Sequence, residues 1–131
     1  MSMHLFIEWF VAAMLIVVGV SHIAQPRLWV ALFSDFLKWP YAALIIGAFT
    51  LPLGLLVAIG HNVWVLDVPV IITIIGWGWT LKGTLYMTAP GVLHFAARPH
   101  IHRPNRFVIG GIISLILGAA VIIRLITLVR A

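Results

Sequence analysis

Apolar positions dominate the chain in four long runs, and the polar positions between them are short and clustered. The first run is Leu5 to His22, the second Tyr41 to Gly60, the third begins near Trp64 and ends at Ala89, and the fourth is Phe107 to Val129. At a rise of about 1.5 Å per residue each can cover most or all of a bilayer core of roughly 30 Å. The pattern therefore predicts an all-α integral membrane protein, a single up-down bundle of four transmembrane helices over residues 5–22, 41–60, 64–89 and 107–129.

Between the first two runs the pattern changes. In PRLWVALFSDFLKWP, Arg27, Ala31, Ser34, Asp35 and Lys38 recur at helical spacing, and Leu28, Trp29, Leu32, Phe33, Phe36 and Leu37 fill the remaining positions. Pro26 suits the first turn of one helix and Pro40 the first turn of the next. This predicts a short amphipathic helix, residues 26–38, lying in the membrane interface. The segment Pro90 to Arg106 reads as a basic loop.

Composition supports a membrane setting. Of 131 residues, 63% are hydrophobic and 8% charged, far from the polar surface a soluble domain needs. The chain has no cysteine, which removes disulfide and thiolate chemistry. Its formal net charge of +5 fits anionic lipid head groups better than nucleic acid, because the basic residues sit in loops and at helix ends. Arg27, Lys38, Arg98, Arg103 and Arg106 share one side of a four-span arrangement. The positive-inside rule then places both basic segments in the cytoplasm and both termini outside a bacterial inner membrane.

Three groups of residues carry candidate chemistry. Glu8 and Arg124 lie at comparable depth in the first and last runs, and an interhelical pair would lower the cost of burying both charges. Lys82 stands in GWGWTLKGTLYM beside Trp77 and Trp79, with glycines leaving gaps next to the indoles. With Arg98, Arg103 and Arg106 it forms a candidate contact set for lipid phosphate or a flat apolar ligand. His22, His94, His100 and His102 form a loose candidate metal set, although no carboxylate follows Asp67 and no His-Glu-x-x-His sequence occurs. No cofactor is expected.

A lone glutamate in the first span of so short a chain resembles the small multidrug transporters, whose mid-membrane glutamate exchanges protons and cationic drug. Glu8 lies near the end of its span, so the resemblance does not carry that exchange to this chain. GWxxxLKGxxY followed by Pro90 resembles segments of small bacterial membrane proteins and assigns no chemistry.

The first function expected from these features is a non-enzymatic accessory or structural subunit, packed against a membrane-protein partner or its own copies through small-residue seams. The second is a carrier or binder of lipid or a small apolar molecule. The third is a metal-dependent membrane enzyme using the loop histidines.

Overall fold

The computed structural model describes residues 1–130, and the only regular secondary structure among them is helical. Six α-helices follow in order: α1 Met3–Ala24, α2 Pro26–Lys38, α3 Ala42–Gly60, α4 Pro69–Thr88, α5 Gly91–Ala97 and α6 Pro104–Arg130. A 3₁₀ turn, Arg98–His100, separates α5 from α6. Proline punctuates the chain. Pro26, Pro69 and Pro104 open helices, Pro40 and Pro90 stand just ahead of helices, and Pro99 lies in the 3₁₀ turn. A missing N–H costs nothing in a first helical turn, and Gln25, Trp39 and Ala89, each just before a proline, leave helical geometry. Only Pro52 lies inside a helix.

The expectation of four transmembrane helices is corrected to six helices with three candidate spans. Met3–Ala24, Ala42–Gly60 and Pro104–Arg130 are long and apolar enough to cross a membrane. The helix Pro69–Thr88 has the length, at 20 residues, but not the apolarity. Its first two turns are rich in isoleucine, whereas the stretch from Gly76 onward holds Trp77, Trp79, Thr80, Lys82, Thr84, Tyr86 and Thr88 among three glycines. The expected basic loop is also partly helical, as α5 and the 3₁₀ turn. With three candidate spans, the even-number argument for both termini on one side lapses. Within the molecule, however, the start of α1 and the end of α6 do meet, through Glu8 and Arg124.

The helices pack as two antiparallel pairs. α1 lies along α6, and α3 along α4, while contact between the pairs is sparse. Both seams are closed by small residues. A Cβ added at Gly111 would stand 2.7 Å from the Gly19 carbonyl oxygen, and one at Gly83 would stand 2.6 Å from the Leu51 nitrogen. Backbones this close leave no room for a side chain, the packing that helices use where lipid removes the hydrophobic drive. Ser114 adds a hydrogen bond across the first seam, its hydroxyl donating to the Leu15 carbonyl at 2.7 Å.

The two pairs are joined at one end by a core of Ile7, Val11, Ala12, Val57, Ile72, Val121 and Leu125. At the other end a smaller cluster, Ala42, Ala43, Tyr86 and Leu93, holds α5 against α3 and α4. Between α4 and α6 the molecule is left open, and α2, α5 and the 3₁₀ turn close over that end.

Candidate functional site: a basic, aromatic cleft between the helix pairs

The opening between the pairs is a cavity of about 510 Å³, within the range of small-molecule sites. α4 supplies Gly78, Leu81, Lys82, Leu85 and Tyr86 to its wall, and α6 supplies Arg106, Phe107 and Gly110. His22 of α1, Phe33 of α2, Val92 and Ala96 of α5, and His100 of the 3₁₀ turn complete it. Helical periodicity explains the α4 contribution. Positions 78, 81, 82 and 85 fall on one face, opposite the face whose Gly76 and Gly83 are pressed against α3.

Gly78 and Gly110 both border open space, since a Cβ at either meets nothing within 4 Å. These glycines widen the cleft, whereas Gly54 and Gly83 narrow the α3–α4 seam. The cavity is thus a consequence of where glycine is packed and where it is not.

Aromatic rings build the covered end. His22 stacks on Trp29 with ring centroids 4.2 Å apart, and the Trp29 indole N–H donates to Ser21 Oγ at 2.9 Å. Phe33 meets Phe107 edge to face at 5.1 Å, and His100 lies 5.6 Å from the same Phe107 ring. Offset and edge-on contacts of this kind each add about 0.5–1.5 kcal/mol beyond burial. They fasten α2 and the 3₁₀ turn to the ends of α1 and α6. His22 Nδ1 lies 2.7 Å from the Val18 carbonyl. A carbonyl only accepts, so Nδ1 carries the hydrogen, and Nε2 on the far side of the ring is left to other partners.

The cleft is cationic. Lys82 and Arg106 line it, two histidines stand beside them, and no carboxylate does. Lys82 Nζ lies 5.6 Å from the centroid of the Tyr86 ring, close enough for a cation–π contact that steadies the ammonium without neutralising it. Burial pushes the His100 imidazole below its usual 6.5, and the nearby Arg106 guanidinium adds to the effect. A histidine depressed in the folded state binds fewer protons than in the unfolded chain. Its neutral form therefore favours folding above about pH 6.5, and that contribution is lost as pH falls below this value. We expect the unfolding midpoint of the wild type to fall more steeply than that of His100→Gln as the pH is lowered from about 7 to about 5. Parallel curves would refute the assignment.

Of the residues singled out as ligand contacts, Lys82 and Arg106 come together in the cleft. Trp77, Trp79, Arg98 and Arg103 are not part of its lining. The Trp77 indole points to the opposite end of the molecule and donates to Asn62 Oδ1 at 3.3 Å. Trp79 packs beside the Ile7–Leu125 core. Tyr86, His22 and His100 are the polar members that this contact set lacked.

The candidate metal histidines divide. His22 and His100 share the cleft, but His94 points elsewhere, its Nε2 lying 3.1 Å from the Leu37 carbonyl. His102 sits in a left-handed turn with φ of 64°. Among the described residues, no group of three or more His, Asp or Glu side chains is placed to hold a metal ion.

A second polar group lies at the opposite end. Glu8, 5% exposed, accepts from or donates to His61, with Oε1 and Nε2 2.7 Å apart. Arg124 Nη1 stands 3.4 Å from Glu8 Oε2, and Arg124 Nε 3.8 Å from Asp67 Oδ2. The expected Glu8–Arg124 contact is thus one edge of a larger network. His61 was missed because its partner is 53 residues away in sequence. One sign was available: His61 directly follows an apolar run and, like Glu8, stands at the same end of a span.

The chain matches no family model, no curated protein and no solved structure.

Proposed function

We propose that this small all-helical membrane protein is a binding protein for a single anionic amphiphile. Its acidic head sits between Lys82 and Arg106, and its apolar part lies along Leu81, Leu85, Val92 and Phe107. The observation that carries this reading is the cleft itself: an apolar-walled cavity of about 510 Å³ with Lys82 and Arg106 and no carboxylate in its lining. Both basic side chains are exposed at the cleft, and no carboxylate of the lining neutralises them. An anionic ligand with a hydrocarbon body satisfies both wall and charge. This places the weight on the carrier or binder expectation, ahead of the accessory subunit and the metal-dependent enzyme.

Calorimetric titration of delipidated protein in neutral detergent tests the reading. A single-chain alkyl phosphate should bind at one site, and an alkyl trimethylammonium of equal chain length should not. Lys82→Gln combined with Arg106→Gln should weaken binding by about tenfold or more. Gly78→Leu should fold normally, because the added side chain projects into open space, yet block uptake by filling that space. Equal uptake of phosphate and ammonium probes, or unimpaired binding by Gly78→Leu, would contradict the proposal.

A further inference from the structure

The connection between α3 and α4 carries apolar side chains where a loop in water would carry polar ones. Trp64 is 62% exposed, Val65 is 45% exposed, and Leu66 is fully exposed. Trp77 of α4 joins them, about half exposed. The indole N–H groups of Trp64 and Trp77 both donate to Asn62 Oδ1, at 2.8 and 3.3 Å. An indole nitrogen only donates. One carboxamide oxygen thus satisfies the polar atom of each ring and leaves apolar ring surface facing outward.

The bundle fixes the level of this segment. α3 is one of the three candidate spans and has 19 residues, about 28 Å of helix against a bilayer core of roughly 30 Å. The chain therefore leaves α3 at the boundary between hydrocarbon and head groups, and it is tied there on both sides of the apolar tip. Ahead of the tip, Thr73 Oγ1 lies 2.9 Å from the His61 and Val63 carbonyl oxygens and 3.1 Å from the Val63 nitrogen. His61 in turn meets Glu8 of α1 at 2.7 Å. Behind the tip, Asp67 Oδ2 stands 3.8 Å from Arg124 Nε of α6. Glu8 and Arg124 lie within about 9 Å of the ends of the other two candidate spans. Three residues, at no more than about 3.6 Å each, cannot stray far from these ties.

We propose that Trp64, Val65 and Leu66, backed by Trp77, form an anchor that lies in the head-group layer of the membrane and fixes the depth of that end of the α3–α4 pair. Amphipathic indole rings favour this layer. The anchor is aromatic and apolar rather than basic: the formal charges of its end cancel, Glu8 and Asp67 against Arg124 and Arg130, whereas the cleft lining holds Lys82 and Arg106 without a carboxylate. Zwitterionic lipid is therefore a sufficient partner. Lipid is chosen over a second protein because the tip continues directly from a span that lipid already surrounds. The anchor rests on the membrane reading of the three spans and not on what the cleft binds.

The chain lacks cysteine, so a single spin label can be placed at Leu66→Cys, where the side chain is fully exposed. In the full chain in nanodiscs of phosphatidylcholine, this label should collide more often with oxygen, which concentrates in lipid, than with a water-soluble nickel chelate. A label at Ile59→Cys, exposed on α3, should do the same. Adding Trp64→Glu should shift the Leu66→Cys label toward the chelate. A label at position 66 that meets the chelate as freely as a label in buffer would overturn the anchor. So would one shielded from both reagents, the mark of a second copy lying over the tip, or a Trp64→Glu change without effect. A water-exposed label at position 59 would overturn the membrane reading of α3 as well. Should the Trp64→Glu protein fail to fold, the Leu66→Cys label decides alone.

Discussion

Gly54→Leu is expected to prevent α3 from seating on α4 and to lower stability by about 3 kcal/mol or more, beyond the usual range for overpacking. A Cβ at position 54 would stand 2.7 Å from the Trp79 carbonyl carbon and 2.8 Å from the Thr80 Cα. These are backbone atoms inside a helix, so no rotamer change can relieve the contact. Gly83, one turn along α4, meets the backbone of Leu51 on α3 in the same manner, so the helices are interlocked from both sides. Separating them would displace Gly76, which packs on Val57 and Ala58, and with it the core that joins the pairs. Gly78→Leu on the same helix is the matched control, since its Cβ meets nothing within 4 Å. Unfolding in a denaturing detergent should separate the two variants widely. Equal midpoints would mean that the α3–α4 seam is looser than described.

Removing the Glu8 carboxylate, at the end joined by the Ile7–Leu125 core, should also be damaging. Glu8→Ala leaves His61 fully buried without its Nε2 partner and leaves Arg124 only its more distant contact with Asp67. Leaving a buried hydrogen-bonding group without its partner typically costs about 1–3 kcal/mol. The effects of Glu8→Ala and His61→Ala should not add. Their double variant should be less destabilised than the sum, with a coupling of about 0.5–3 kcal/mol. Strict additivity, measured by unfolding of all four proteins, would mean that the short contact contributes nothing to the joining of the pairs.

Much of the helical layout follows from local signals. Pro26 and Pro40 bracket α2 because a missing N–H suits a helix start and a proline disfavours helix in the residue before it. Glu8 and Arg124 could be matched by counting depth along two spans. Other features needed the folded chain. Hydropathy sums over α4 blend two unlike halves, and the apolar first half made the whole run look like a span. The tryptophans beside Lys82 suggested a groove, yet Trp77 and Lys82 point to opposite ends of the molecule. Their spacing of five residues along a helix does not reveal which end is open. His61 and Thr73 join through a turn of irregular backbone, which has no periodicity to read. The cleft arises from the absence of packing between α4 and α6, and a pairing that is missing leaves no mark on either sequence segment.

The central claim is that the cleft between α4 and α6 holds one anionic amphiphile. Native mass spectrometry of the protein released directly from its membrane tests this most directly. The wild type should appear with a single retained acidic lipid-like species, and the combined Lys82→Gln and Arg106→Gln variant should appear without it while keeping its folded charge distribution. A wild-type protein that emerges bare, or a variant that retains the same adduct, would contradict the account.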